Sequence, residues 1–324
     1  MRKALKITAI VLGVPVVLLA IVFAIFPIPF IDTIRNFPYY NPFERVVTND
    51  DPKPLGPLTE SAIVEVYLRI TDKELRRVLI YLPKGYGFGN KDYLYPTLYL
   101  LHGTPGTEED WLRLGKARKT LDEAIANHTI PPVIAVFPNG NGGIWDDTEY
   151  INSADGRQPN EDFIVDGVVP YIDQNYATRA DSKYRAIGGL SEGGFAALNL
   201  ALKHQDVFGY AMSLSGYGNI DQNDHSAKVI QGSAQVIHDN SPIQYIPDLE
   251  THTTKILIIT GQEDTEDNLL GENQELNKLL KEKGFSVDFQ LYEGKHAWIF
   301  WITHLRDAME WWGKELPHTE GKAA

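Results

Sequence analysis

Five residues, Gly189-Leu190-Ser191-Glu192-Gly193, constrain this chain more than any other stretch. They follow Tyr184-Arg185-Ala186-Ile187-Gly188, a short run that reads as a strand. They open onto the helix formers Phe195-Ala196-Ala197-Leu198-Asn199-Leu200-Ala201-Leu202. A serine flanked by glycines between a strand and a helix sits on a sharp turn with a strained backbone. The glycines let strand and helix approach with no Cβ between them. Such a turn displays the serine hydroxyl at the carboxyl edge of a sheet. The bland alternative is a glycine-rich loop, and the neighbouring segments must decide between the two.

Those neighbours alternate between strand and helix. Ala62 to Leu68 and Arg76 to Leu82 have the period-2 pattern of an antiparallel pair. Thr97 to Leu101, Val133 to Phe137 and Ile256 to Ile259 are continuous apolar runs, as expected of parallel strands covered on both faces. Helical patterns fall between them, at about Leu112 to Asn127, Asn160 to Tyr176, Glu192 to His204, Glu272 to Lys283 and Trp298 to Trp312. Gly284 stands where a helix C-cap belongs. The expected body is a single α/β domain over residues 59–318, with a mostly parallel central sheet and helices on both faces. A tail of residues 319–324 follows.

The amino terminus has a different character. Ile7 to Phe30 are 24 residues without a charge, preceded by Arg2, Lys3 and Lys6. About 20 apolar residues span a bilayer as a helix, and the basic cluster favours the cytoplasmic side. Residues 1–31 therefore read as a membrane anchor with the rest of the chain outside. The alternative is a signal segment cleaved near Val22-Phe23-Ala24, which would leave a secreted protein. Residues 32–58 carry five prolines and read as a spacer. The formal net charge is −13, and the body beyond the basic cluster is more acidic still. Such a body is a poor partner for nucleic acid. The chain has no cysteine, which excludes disulfides, thiol nucleophiles and cysteine-ligated zinc.

A serine hydroxyl needs a base, a group that orients the base, and donors for the developing oxyanion. In an α/β sheet each belongs on a loop at the carboxyl end of a strand. The last strand, Phe285 to Tyr292, runs straight into Glu293-Gly294-Lys295-His296, so His296 is the candidate base. His304 is the runner-up, inside the terminal helix. Ile256 to Thr260 runs into Gly261-Gln262-Glu263-Asp264-Thr265-Glu266-Asp267. Asp264 is the candidate acid, with Asp267 and Glu263 as alternatives. Serine, acid, histidine is the chain order of an α/β-hydrolase. One oxyanion donor is the backbone N–H of Glu192. The other should come from the loop His102-Gly103-Thr104-Pro105-Gly106, where Thr104 has an N–H and Pro105 has none. His102 reads as a residue that fixes this loop, not as a base.

With these residues in view the chain resembles the putative-esterase family of α/β-hydrolases. That family includes feruloyl and acetyl-xylan esterases, S-formylglutathione hydrolase, enterochelin esterase and mycolyltransferases. The resemblance runs from about Ser61 to Gly313. It rests on Leu100-Leu101-His102-Gly103, Ile130-Pro131-Pro132-Val133-Ile134, Asp162-Phe163 with Pro170-Tyr171-Ile172-Asp173, Gly188-Gly189-Leu190-Ser191-Glu192-Gly193-Gly194, Gly261 with Asp264, and His296-Ala297-Trp298. It implies the α/β-hydrolase fold and a serine esterase working through an acyl-enzyme on Ser191. An acyltransferase to a sugar or glycolipid hydroxyl is the alternative within that chemistry, and a binding protein on the same fold is the alternative outside it. The implied substrate is a small-molecule or saccharide ester, with no cofactor and no metal. Asn139 to Pro159, with Trp145, should shape the pocket, and Trp298 is a second candidate for substrate contact. Tyr217 to Pro247 reads as a polar insertion able to cap the site. The oligomeric state is not readable.

Overall fold

The computed structural model describes residues 46–48, 56–87, 93–141, 143, 146–221, 225–250, 253–265 and 268–317. The expected membrane helix and the tail lie outside these residues, as does all of the spacer except residues 46–48 and 56–58. Among the described residues no helix is long and apolar enough to cross a membrane.

The described residues form a nine-stranded sheet. Its strands are β1 (Val46–Thr48), β2 (Ala62–Thr71), β3 (Glu74–Leu82), β4 (Thr97–Leu101), β5 (Ile134–Pro138), β6 (Arg185–Leu190), β7 (Tyr210–Leu214), β8 (Lys255–Gly261) and β9 (Ser286–Tyr292). The helices are α1 (Asp110–Arg113), α2 (Ala117–Ala126), α3 (Asn160–Asp162), α4 (Val169–Asn175), α5 (Glu192–Lys203), α6 (His225–Val229), α7 (Ala234–Asp239), α8 (Pro242–Tyr245), α9 (Leu269–Lys283) and α10 (Trp298–Glu315). Strand order is β1-β2-β3-β5-β4-β6-β7-β8-β9. β2 and β3 pair antiparallel, as does β3 with β5, and every other neighbouring pair is parallel.

Each central strand divides its side chains between two cores. Tyr99, Leu101, Val136, Ile256 and Ile258 join one face, beneath α5 and α9. Leu98, Leu100, Phe137, Leu257 and Ile259 join the other, against α1, α2 and α10. This is why these strands read as unbroken apolar runs: both faces are buried. From β4 the chain crosses to β5 on one side, then returns past β4 to β6 on the other. The carboxyl ends of β4 and β6 therefore flank the point where the strand order reverses, the usual place for a site in an open α/β sheet.

Four local readings change. β7 was not expected. Part of the expected spacer, Val46–Thr48, is a strand paired with β2. The helix expected over Leu112 to Asn127 is two helices. Gly115 packs so close to Trp111 that a Cβ would lie 2.7 Å from its ring, and Lys116 turns left-handed at φ 54°. Between α3 and α4 the chain winds as a π-helix over Phe163–Val168. The Tyr217 to Pro247 insertion is anchored on the core through Ile220, Ile230, Ile237, Tyr245 and Ile246.

Candidate active site

The turn at Ser191 has the strain its sequence implied. Ser191 adopts φ 53°, ψ −124°, a region that L-residues rarely occupy. Its N–H donates to Leu214 O at the end of β7 (3.0 Å), and its carbonyl accepts from the N–H groups of Gly194 (2.9 Å) and Phe195 (3.0 Å). A Cβ on Gly189 would lie 2.2 Å from Gly193 O. One on Gly193 would lie 2.4 Å from Leu101 O and 2.5 Å from His102 O. These two positions must be glycine for strand, helix and the loop after β4 to meet.

The loops after β8 and β9 are tied together before they reach the serine. The N–H of Gln262 donates to Tyr292 O (2.8 Å) and that of Glu263 to Gly294 O (3.0 Å). Across this junction His296 Nδ1 lies 3.0 Å from Asp264 Oδ1. His296 Nε2 lies 2.8 Å from Ser191 Oγ. Asp264 is fully buried, whereas Ser191 and His296 are partly exposed. Trp301 stands perpendicular to the His296 ring, with centroids 4.9 Å apart and planes at 90°. Asp267, the alternative acid, lies outside the described residues, and Glu263 pairs with Lys295 at 3.5 Å on the surface. His304 packs on Tyr292 and pairs with Asp307 at 2.6 Å.

The loop after β4 comes to the same point. A Cβ on Gly103 would lie 3.1 Å from Ser191 Cβ. The next residue is Thr104, whose N–H has no acceptor among the described residues. Glu192 is the first residue of α5, so its N–H has no intrahelical partner. His102 fixes the loop. Its Nδ1 lies 3.0 Å from Gly103 O, and its Nε2 accepts from the Gly140 N–H at 3.3 Å. Burial lowers its pKa to about 4, which leaves the ring neutral but too weakly basic to serve well as the base.

Sequence reasoning missed a buried polar network beside the serine. The Glu192 carboxylate accepts from the Thr104 hydroxyl, from Asn141 Nδ2 (2.9 Å) and from the Glu149 N–H (2.9 Å). Asn141 Oδ1 accepts from the Thr148 hydroxyl (2.7 Å), and Glu149 Oε2 from the Tyr217 hydroxyl (2.6 Å). Burial, followed by the neighbouring Asp147 carboxylate, raises Glu192 to about 8 and pushes Glu149 well above the carboxylate range. Among the described residues, Asp147, Glu149 and Glu192 are the side chains whose ligand atoms, all within 4.8 Å of one another, fit around a single cation. The sequence reading gives these three side chains no role.

Trp145 lies outside the described residues. Trp298 is 9% exposed and packs edge-on against Trp111 (5.9 Å) and Trp301 (5.4 Å), which is the setting of a core residue. A cavity of about 810 Å³ lined by Lys183, Lys203, Tyr210, Lys255 and Glu315 lies at the opposite, amino-terminal edge of the sheet and takes no part in this site.

Residues 71–312 match the sequence profile of the family described as "Putative esterase". The chain belongs to this esterase family. A protein of Xylanibacter ruminicola named endo-1,4-β-xylanase/feruloyl esterase is 37% identical over 142 residues, 42% of this chain and 19% of that protein. The matched part is thus about a fifth of that relative's length. An acetyl esterase of Caldicellulosiruptor saccharolyticus is 26% identical over 247 residues, 67% of this chain and 83% of the relative. The solved structure of a ferulic acid esterase superposes with a TM-score of 0.69 at 25% identity, covering 80% of this chain and 100% of the other. The fold is that of the α/β-hydrolases.

Proposed function

We propose that this esterase works through an acyl-enzyme on Ser191, with His296 as base and Asp264 as its orienting acid. The observation that carries the reading is the line of hydroxyl, imidazole and buried carboxylate, with separations of 2.8 Å and 3.0 Å. Ser191 Oγ attacks the ester carbonyl carbon as its proton passes to His296 Nε2. Negative charge gathers on the carbonyl oxygen, where the N–H groups of Glu192 and Thr104 receive it. The carbon–oxygen bond to the alcohol breaks as His296 returns the proton to the leaving oxygen. Water, deprotonated by the same imidazole, then frees the acid and restores the Ser191 hydroxyl. Asp264 holds Nδ1–H throughout and balances the imidazolium.

The substrate class we propose is an acetylated or feruloylated saccharide. Its support is the similarity to relatives named as acetyl and feruloyl esterases. The test is a panel of acetyl and feruloyl saccharides beside simple aryl esters, run with wild type and Ser191→Ala. Turnover of the saccharide esters, lost in the variant, supports the reading. Turnover of aryl esters alone would remove the saccharide part of it. The uncharged run Ile7 to Phe30 behind Arg2, Lys3 and Lys6 supports a further proposal, that the catalytic domain is held outside the cell membrane. Recovery of the protein in the soluble cell fraction would contradict that placement.

A further inference from the structure

We propose that the Glu192 side chain is a positioning residue: it holds Thr104, and with it the second oxyanion donor, in place beside Ser191. This rests on the Ser191 reading above and adds to it a role that the nucleophile motif does not contain.

One carboxylate joins three separate segments. Glu192 begins α5, next to the strained serine, and is 2% exposed. Its Oε2 takes the Thr104 hydroxyl from the loop after β4 and Asn141 Nδ2 from the loop after β5. Asn141 Nδ2 reaches Thr104 Oγ1 as well, at 2.8 Å. Glu192 Oε1 takes the N–H of Glu149, farther along the second loop. Glu149 and Tyr150 are consecutive non-glycine residues at φ 54° and 55°, a conformation that persists only where surrounding contacts impose it. Those contacts include the Glu192 bond, the Tyr217 hydroxyl on Glu149 Oε2, and the Tyr150 hydroxyl, which donates to His102 O at 3.0 Å. Glu192 therefore supplies one oxyanion donor through its backbone and fixes the other through its side chain.

The electrostatics point the same way. Beside Asp147 and Glu149, an apolar side chain of similar size would fill the space without a desolvation penalty. Burial and the neighbouring Asp147 carboxylate raise Glu192 above its ordinary range, as is common where a site needs a particular group. The hydrogen bonds it accepts are what an apolar residue would not provide.

The test is steady-state kinetics on an aryl acetate, with kcat expressed per site titrated to completion by a fluorophosphonate. Glu192→Ala should lower kcat about 100-fold with KM within about threefold, since the loss falls on the transition state and not on ground-state binding. Glu192→Gln keeps an acceptor for Thr104 and Asn141 and should recover kcat to within about tenfold of wild type. Thr104→Val removes only the hydroxyl and keeps the N–H; it should lower kcat about tenfold. The double variant should be no worse than Glu192→Ala alone, because both break one contact. A lowered melting temperature with kcat per titrated site intact in Glu192→Ala would overturn the proposal. Should Glu192→Ala not fold, an unchanged kcat in Thr104→Val would overturn it equally. Ser191→Ala separates the two readings. If that variant keeps its rate, the Ser191 mechanism falls. If it is inactive while the Glu192 and Thr104 variants are normal, only the positioning role falls.

Discussion

Replacing Gly193 by alanine should injure the reaction more than the fold. The new Cβ would lie 2.4 Å from Leu101 O and 2.5 Å from His102 O, both backbone atoms that no rotamer change can move. Restoring an ordinary contact of a little over 3 Å requires α5 and the loop after β4 to part by about 0.7 Å. That gap separates the Glu192 N–H from the Thr104 N–H, the two groups assigned to one oxyanion. A misplacement of about 1 Å costs roughly 100-fold in rate, so about 0.7 Å predicts a loss of roughly 30- to 100-fold in kcat. Overpacking of this kind costs about 1–3 kcal/mol, which lowers Tm by several degrees in a domain of this size. The assay is kcat and KM on an aryl acetate with a thermal melt on the same preparation. Gly167→Ala is the control, because its Cβ would meet nothing nearer than 3.7 Å. If Gly193→Ala kept kcat within threefold of wild type, the idea that this glycine sets the width of the oxyanion site would be refuted.

Other consequences are checked more briefly. Asp264→Asn should lower kcat by about 10³–10⁴ with little change in KM, because the amide leaves the imidazole in the wrong tautomer; a loss under tenfold would move the acid role elsewhere in the 261–267 loop. His102 is buried neutral, with its pKa lowered to about 4 from 6.5. It contributes stability that is complete above pH 6.5 and is lost as pH falls through 4, roughly 3 kcal/mol in all. Denaturant titrations of His102→Gln should show that acid-side slope removed. Glu192 runs the other way, being raised to about 8, so its contribution is full below pH 4.5 and fades as pH rises to 8. Glu192→Gln should therefore gain on wild type between pH 5 and pH 8 in the same titrations. Trp298→Ala should cost about 3–5 kcal/mol as a core cavity with KM unchanged; a raised KM on a stable protein would make Trp298 a substrate contact instead.

Most of the frame was legible because the central strands are buried on both faces and advertise themselves as apolar runs. β7 was not. Tyr210, Met212 and Leu214 face one core, but the side under α5 carries only Ala211 and Ser213. Small residues there let α5 lie close, and they make the strand look like a loop. The break at Gly115 and the π-helix at Phe163–Val168 are set by tertiary contact, which helical periodicity does not record. Ser191, Asp264 and His296 could be expected to meet because each lies within four residues of the end of its strand, and strand ends converge in an α/β sheet. The carboxylate network had no such marker. Glu149 and Asp147 are remote in sequence from Glu192, and an acid gives no local sign that it will be buried.

The reaction turns on Ser191 Oγ as the nucleophile that takes the acyl group. The most direct measurement of this is mass spectrometry of the full chain after reaction with a fluorophosphonate, paired with the hydrolysis rate of Ser191→Ala. The expected result is one phosphonyl group per chain, on the peptide that bears Ser191, and no detectable turnover in the variant. A label on another residue, or ester hydrolysis by Ser191→Ala at the wild-type rate, would contradict it.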